Sequence, residues 1–346
     1  MKSRTVVAAL ALALAVSPAF GQSKAQGAQY QSEYRLSTVV GTAFPWGKAG
    51  ERWGEIVRQK TGGRINIKMY PGTSLVAGDQ TREFTAIRQG VIDLAIGSTI
   101  NWSPQIKELN LFSLPFLMPD YAALDALTQG EVGKDIFRRL ERAGVVPLAW
   151  GENGFREVTN SKRELRKPAD FKGLKFRVVG SPLFLDAFTA LGANPTQMSW
   201  ADAQPALASG AVDGQENPLT IFTAAKLHTV GQKNVTLWGY VADPLIFVVN
   251  KEVWESWTPE DRKIVREAAV AAGKYCIELA RDGMTGANPP ILKTIEGFGV
   301  KVVKLSDQER NAFRKATKPV YDKWSKQIGA DLVKKAEASV AARKKN

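Results

Sequence analysis

The chain has 346 residues, 44% of them hydrophobic, with 47 Lys and Arg, 34 Asp and Glu and a net charge of +13. That is the composition of a globular protein, and its one cysteine, Cys276, excludes an intramolecular disulfide and a thiolate metal cluster. The basic residues are spread along the chain and mixed with acids, so the charge serves solubility and a mild attraction for anions, and nucleic acid is not expected as a partner.

Lys2 and Arg4 precede an uninterrupted apolar run over residues 6–16, followed by Ser17-Pro18-Ala19-Phe20-Gly21. The run is too short for a bilayer, which needs about twenty residues, so residues 1–21 read as a cleaved secretory signal peptide and the mature chain as soluble and exported. Residues 22–30 are polar. A strand is expected over 34–40, a helix over 47–60 with Trp53, Ile56 and Val57 on one face, and a stop at Thr61-Gly62-Gly63. Alternation predicts a strand over 65–69. A Pro-Gly turn, a helix over 79–89 and a strand over 91–96 follow. This β-α-β-α-β order implies a parallel sheet with helices on its faces.

Residues 109–118 are apolar and interrupted by Pro115. A helical stretch over 121–142 and a buried strand over 145–150 come next. The character changes near 151–154, where a domain crossing is placed. Strands are expected over 157–160, 175–179 and 234–238, and helices over 182–190, 201–209 and 219–225. Residues 245–250 read as a strand returning to the first domain. Thr258-Pro259-Glu260 starts a long helix whose apolar stripe holds Val265, Ala268, Ala269, Ala272, Tyr275, Cys276 and Leu279, making Cys276 a small core residue. A strand over 301–304 and an amphipathic helix over 306–327 precede a basic tail, 331–346, expected to be frayed and solvated.

Several chemistries are missing. His228 is the only histidine, and neither a Gly-x-Ser-x-Gly elbow, a phosphate loop nor a Gly-x-Gly-x-x-Gly motif occurs. No metal and no cofactor are expected. Asp213 and Glu216 could serve as a carboxylate pair for glycoside hydrolysis, though their spacing is weak evidence. More informative is a lone Arg177 inside the apolar strand pattern Gly173-Leu174-Lys175-Phe176-Arg177-Val178, with Asn217 following in Val212-Asp213-Gly214-Gln215-Glu216-Asn217-Pro218. In a site closed off from water, the planar fork of Arg and a neutral amide donor can hold one carboxylate.

These residues fall in a wider pattern. Ile87-Arg88-Gln89-Gly90-Val91-Ile92-Asp93, Leu114-Pro115-Phe116-Leu117, Lys167-Pro168-Ala169-Asp170-Phe171-Lys172-Gly173 leading into Arg177, Ala190-Leu191-Gly192-Ala193-Asn194-Pro195, and the segment ending at Pro218 occur in order behind a signal peptide. Over residues 34–326 the chain resembles the substrate-binding proteins of tripartite ATP-independent periplasmic (TRAP) transporters, the DctP-like family. The resemblance implies an α/β fold of two lobes around a hinged cleft, with strands crossing between the lobes and a long bracing helix. Lobe I would comprise residues 30–152 and 243–282, and lobe II residues 153–242 and 283–330. It further implies a non-enzymatic, monomeric, periplasmic protein that captures an organic acid and delivers it to TRAP permease subunits.

By the same resemblance, Arg177 clamps the ligand carboxylate and Asn217 donates to it. Arg156, in Gly154-Phe155-Arg156, adds a contact, and Trp200 packs on the ligand. Ser98, Phe44 and Trp46 face the cleft. Each residue also has a structural reading. Asn217 could cap the helix that follows, Arg156 could pair with Glu152 or Glu157, and Trp46 and Trp200 could be core aromatics. Asp213 and Glu216 would orient neighbours, and His228 would be structural. The aromatics suit a small hydroxy, oxo or aromatic monocarboxylate as well as a dicarboxylate. A ligand sensor for a receptor kinase and a carboxylate-dependent hydrolase or lyase are the rival functions.

Overall fold

The computed structural model describes residues 30–286 and 288–343, so the expected signal peptide lies outside the described residues. Strands β1 (Tyr34–Ser37), β2 (Ile67–Tyr70) and β3 (Leu94–Ser98) alternate with helices α1 (Pro45–Lys60) and α2 (Glu83–Arg88). Helices α3 (Thr99–Trp102), α4 (Tyr121–Gln129) and α5 (Glu131–Arg142) lead to the long strand β4 (Val145–Asn160). The second half runs β5 (Lys175–Val178), α6 (Pro182–Ala190), β6 (Asn194–Gln197), α7 (Trp200–Ala208), β7 (Gly214–Asn217), α8 (Leu219–Ala224) and β8 (Asn234–Asn250). Helices α9 (Lys251–Ser256), α10 (Pro259–Arg281) and α11 (Pro290–Gly297), strand β9 (Lys301–Lys304), and helices α12 (Asp307–Ile328) and α13 (Ala330–Ala342) complete it.

Among the described residues, nine strands join one sheet in the order β2-β1-β3-β8-β4-β7-β5-β6, with β9 beside β8. At one end β1 pairs parallel with β2 and β3, and at the other β5 pairs parallel with β6 and β7, the expected α/β arrangement in each lobe. The middle is antiparallel. β4 and β8 run alongside each other from Val145↔Asn250 to Asn160↔Asn234. Four separate strands were expected here, but two continuous ones cross from lobe to lobe. The glycines near 151–154 bend the ladder without ending it. The register shifts between Glu152 and Gly154, and Gly154 takes φ 119°, open to glycine at little cost.

Helix α10 braces this crossing by packing against β4 and α1. Its buried stripe is Val265, Ala268, Ala269, Ala272, Cys276 and Ala280, small side chains that let the helix lie close to the sheet. Thr258 caps it by accepting from the Asp261 backbone N–H at 3.2 Å, as the Thr-Pro-Glu start predicts.

Local departures have local causes. The helix expected over 79–89 opens as a 3-10 turn, Gln80–Arg82, because the Asp79 side chain accepts from the Thr81 N–H at 3.0 Å. The 121–142 stretch is two helices, broken at Gly130. The basic tail differs most. Residues 330–342 form α13, whose Leu332, Val333, Ala336 and Val340 are buried, against α4, α5 and α12. That spacing is one helical face, and Lys334 and Lys335 sit exposed on the other, so the charge run masked an amphipathic helix.

Candidate functional site

Where the crossing strands pass between the lobes lies a cavity. Val39, Val40 and Trp46 line it from the segment between β1 and α1, and Gln80, Ser98 and Asn101 from the turns around α2 and β3. Asn153, Arg156 and Asp243 reach it from the crossing strands. Arg177, Val179, Trp200, Asn217 and Ile221 close it from the other lobe. Its wall is part apolar, part convergent polar groups, the make-up of a site for a small organic molecule.

Arg177 is 2% exposed, although it sits in a four-residue strand. β5 lies between β6 and β7, and Gly214 of β7 admits that approach, since a Cβ there would stand 2.5 Å from the Phe176 ring. The Arg177 Nε–H donates to the Met198 carbonyl at 3.0 Å, and its guanidinium lies 5.8 Å from the Trp200 ring centroid. Among the described residues no carboxylate pairs with it. Burial pushes its pKa down to about 10, so it remains a cation at neutral pH, desolvated and short of acceptors.

Arg156 is buried too, but it is already partnered. Its Nε–H and Nη2–H donate to the Glu216 carboxylate, the latter at 2.9 Å, and Nη1–H to Asp243 Oδ2 at 3.0 Å. Nη2 also donates to the Asn217 Oδ1 at 3.1 Å. Burial lowers its pKa, yet Glu216 and Asp243 outweigh that and raise it. The expected alternative partners have other roles: Glu157 accepts from the Trp238 and Gly239 backbone, and Glu152 from Arg281. Asn217 is the last residue of β7 rather than a cap, since Pro218 holds the cap position of α8. With Oδ1 taken by Arg156, the Asn217 Nδ2 donates to Gln215 Oε1 at 2.5 Å and keeps a second N–H for the cavity. Glu216 and Asp213 orient neighbours, Asp213 by accepting from the Lys175 backbone at 2.8 Å.

Trp46 lines the cavity while its Nε1–H donates to the Ile96 carbonyl at 2.8 Å. Phe44 does not line it. Phe44 is the residue before α1, half-buried against the core of the first lobe. Phe44 and Trp46 are two positions apart where the chain enters α1, which turns their side chains to different sides. Ser98 lines it and donates to Asp243 Oδ1 at 2.6 Å. His228 stacks on Phe298 away from the cavity, with ring centroids 4.0 Å apart. Among the described residues no cluster could hold a metal ion, and no helix is long and apolar enough to cross a membrane.

Gln80, Asn101, Asn153 and Asp243 were not singled out in the sequence. Asp243 carried a signal of the kind that exposed Arg177, a lone charge inside an apolar strand. Gln80 carried none, yet it joins the lobes: its Oε1 accepts from the Trp200 backbone N–H and its Nε2 donates to Asn101 Oδ1 at 3.0 Å. The Ser103 and Ser181 hydroxyls meet at 3.2 Å across the same cleft. The lobes are therefore closed on one another.

Behind this wall Glu83, fully buried, accepts from Ser37 Oγ at 2.6 Å and Trp102 Nε1 at 2.9 Å. Burial pushes its pKa up to about 7, with the two donors opposing. Between the unfolded carboxyl's 4.5 and about 7 the folded chain holds a proton the unfolded chain has released, so this contribution to stability falls as pH rises through the window. Glu83→Gln can keep both hydrogen bonds and removes the charge. Its stability relative to the parent should improve by roughly 3 kcal/mol between pH 4.5 and pH 7.5, measured by urea unfolding. A difference unchanged across that range would show that Glu83 does not titrate there.

The family described as bacterial extracellular solute-binding protein, family 7 (DctP) matches residues 36–327. The chain is 32% identical over 96% of its length, and 98% of the relative's, to the 2,3-diketo-L-gulonate-binding periplasmic protein YiaO of Escherichia coli. A TRAP periplasmic solute binding protein from Ralstonia eutropha H16, solved with bound (S)-2-acetolactate, is 74% identical with a TM-score of 0.90, covering 91% of this chain and 100% of that one. One from Shewanella oneidensis with bound succinate is 27% identical with a TM-score of 0.82, covering 89% and 99%. Two closed lobes around a buried, carboxylate-free arginine and a family match over nearly the whole described chain lead to one conclusion: this chain belongs to the DctP family, the solute-binding proteins of TRAP transporters.

Proposed function

We propose that this chain captures a small, branched hydroxy-oxo monocarboxylate of the 2-acetolactate kind and carries it through the periplasm to its TRAP permease. The observation that carries the reading is Arg177, a buried guanidinium with no carboxylate partner among the described residues, lining the cavity between the lobes. The ligand carboxylate takes the two free arms of the Arg177 fork and the spare Asn217 N–H. Hydroxyl and oxo oxygens meet Arg156, Asn153 and Asn101. Methyl groups rest on Val39, Val40, Ile221 and the faces of Trp46 and Trp200. The bound ligand of the 74% identical relative has these groups.

The same cavity supports binding without turnover. Its acids, Asp243 and the adjoining Glu216, are both engaged by Arg156, and His228 lies elsewhere, so no base is free to move a proton. We assign the lobes to residues 30–152 with 243–282 and 153–242 with 283–330, the export signal to residues 1–21, and a monomeric working state. Calorimetry and thermal unfolding with (S)-2-acetolactate test the ligand class. At 100 times its Kd a ligand adds about 2.7 kcal/mol of stability, a rise of several degrees. No shift with acetolactate or other hydroxy and oxo monocarboxylates would remove this reading.

A further inference from the structure

The cavity contains an acid that the capture of an anion does not call for. Asp243 is 1% exposed and lines the same cavity as Arg177. Its Oδ1 accepts from Ser98 Oγ at 2.6 Å, and its Oδ2 from Asn153 Nδ2 at 2.8 Å and Arg156 Nη1 at 3.0 Å. Burial raises its pKa, and these three donors, the Arg156 guanidinium among them, oppose that rise and favour the ionised form. The buried charges at the site then cancel: Arg156 and Arg177 are positive, Asp243 and Glu216 negative. One ligand carboxylate at Arg177 leaves the assembly singly negative. A second has no unpaired cation to meet among the described lining residues, and within the same cavity it comes up against Asp243 in a water-poor setting where like charges repel strongly.

We propose that Asp243 sets the charge class of the ligand, excluding acids with a second carboxylate and admitting those whose far end is neutral. A carboxylate offers about four lone-pair sites, of which the protein fills three, so a hydroxyl donor on the ligand suits the fourth. This inference rests on the reading of the Arg177 cavity as an organic-acid site, which acetolactate binding tests separately.

The decisive ligands are malate and its 4-monoamide, which match in shape and differ by one charge. Their affinities are measured by displacement of (S)-2-acetolactate from the wild type and from Asp243→Asn. Asparagine can still accept from Arg156 and Asn153 and donate to Ser98. The wild type should prefer the monoamide at least tenfold, and Asp243→Asn should shrink that preference tenfold or more. An equal preference in both proteins, or a wild type that binds malate as tightly as the monoamide, overturns the proposal. So does a failure of the monoamide to displace acetolactate from the wild type. If thermal unfolding shows that Asp243→Asn does not fold, Asp243→Ser serves in its place. A wild type that fails to bind acetolactate at all sinks the organic-acid reading, and this inference with it.

Discussion

Arg177→Ala is expected to weaken ligand binding at least a hundredfold, with little loss of stability in the empty protein. The guanidinium is already desolvated, so the folded chain bears that cost before ligand arrives, and the ligand carboxylate gains a preorganised partner. Truncating one member of a buried charge pair costs roughly 2–5 kcal/mol in affinity, and a hundredfold loss is about 2.7 kcal/mol. Stability should hold or rise, because a buried cation without an ion-pair partner is removed. Arg177→Lys should fail nearly as badly. An ammonium is a point charge and cannot both donate to the Met198 carbonyl in the present geometry and present two parallel N–H groups to a carboxylate. Calorimetry with acetolactate checks both variants. Affinity within a few fold of the parent for Arg177→Ala would show that the carboxylate binds elsewhere.

Glu216→Ala should be the most damaging change to the empty fold, costing about 3–5 kcal/mol of stability. Glu216 is fully buried and holds two arms of Arg156, and its Oε2 also accepts from the Tyr240 hydroxyl at 3.3 Å. Its removal leaves Arg156 with Asp243 as its one remaining buried carboxylate, and the Tyr240 hydroxyl loses an acceptor. Affinity should fall as well, because Arg156 Nη2 fixes the Asn217 amide that faces the cavity. Glu216→Gln retains the shape and one acceptor and should cost less on both counts. Urea unfolding alongside calorimetry separates the two effects. A Glu216→Ala protein within 1 kcal/mol of the parent, a small surface-type change, would mean that Arg156 is not held by this pair.

The two arginines thus divide the work. Arg156 is spent on the protein: it ties β4 to β7 and β8 through Glu216, Asn217 and Asp243. Arg177 is left for the ligand. Closure adds the cross-lobe bonds from Gln80 to the Trp200 backbone and from Ser103 to Ser181. Only contacts made in the closed state favour it, and these are formed alongside the buried cavity.

Much of this could be read along the chain, because its signals are local. Alternation marked β1 and β2, the ends of the crossing strands read as four separate pieces, Thr258-Pro259 started α10, and most of that helix's small apolar stripe appeared residue by residue. Arg177 stood out because a charge inside an apolar strand must find a partner once buried. The same reasoning could have singled out Asp243. Other features had no local trace. That β4 and β8 stay unbroken past glycine depends on each being the other's ladder partner, more than a hundred positions away at the Val145↔Asn250 end. That Trp46 faces the cleft while Phe44 turns into the core depends on where α1 begins. The helical tail needed α4, α5 and α12 to bury its apolar face, and Gln80 reached Trp200 only when two lobes met. Periodicity and caps are written within a few residues of where they act. Which side chains share a cavity, and whose charge is left unpaired, follow from contacts between segments far apart in the chain, and these exist only once the lobes have packed.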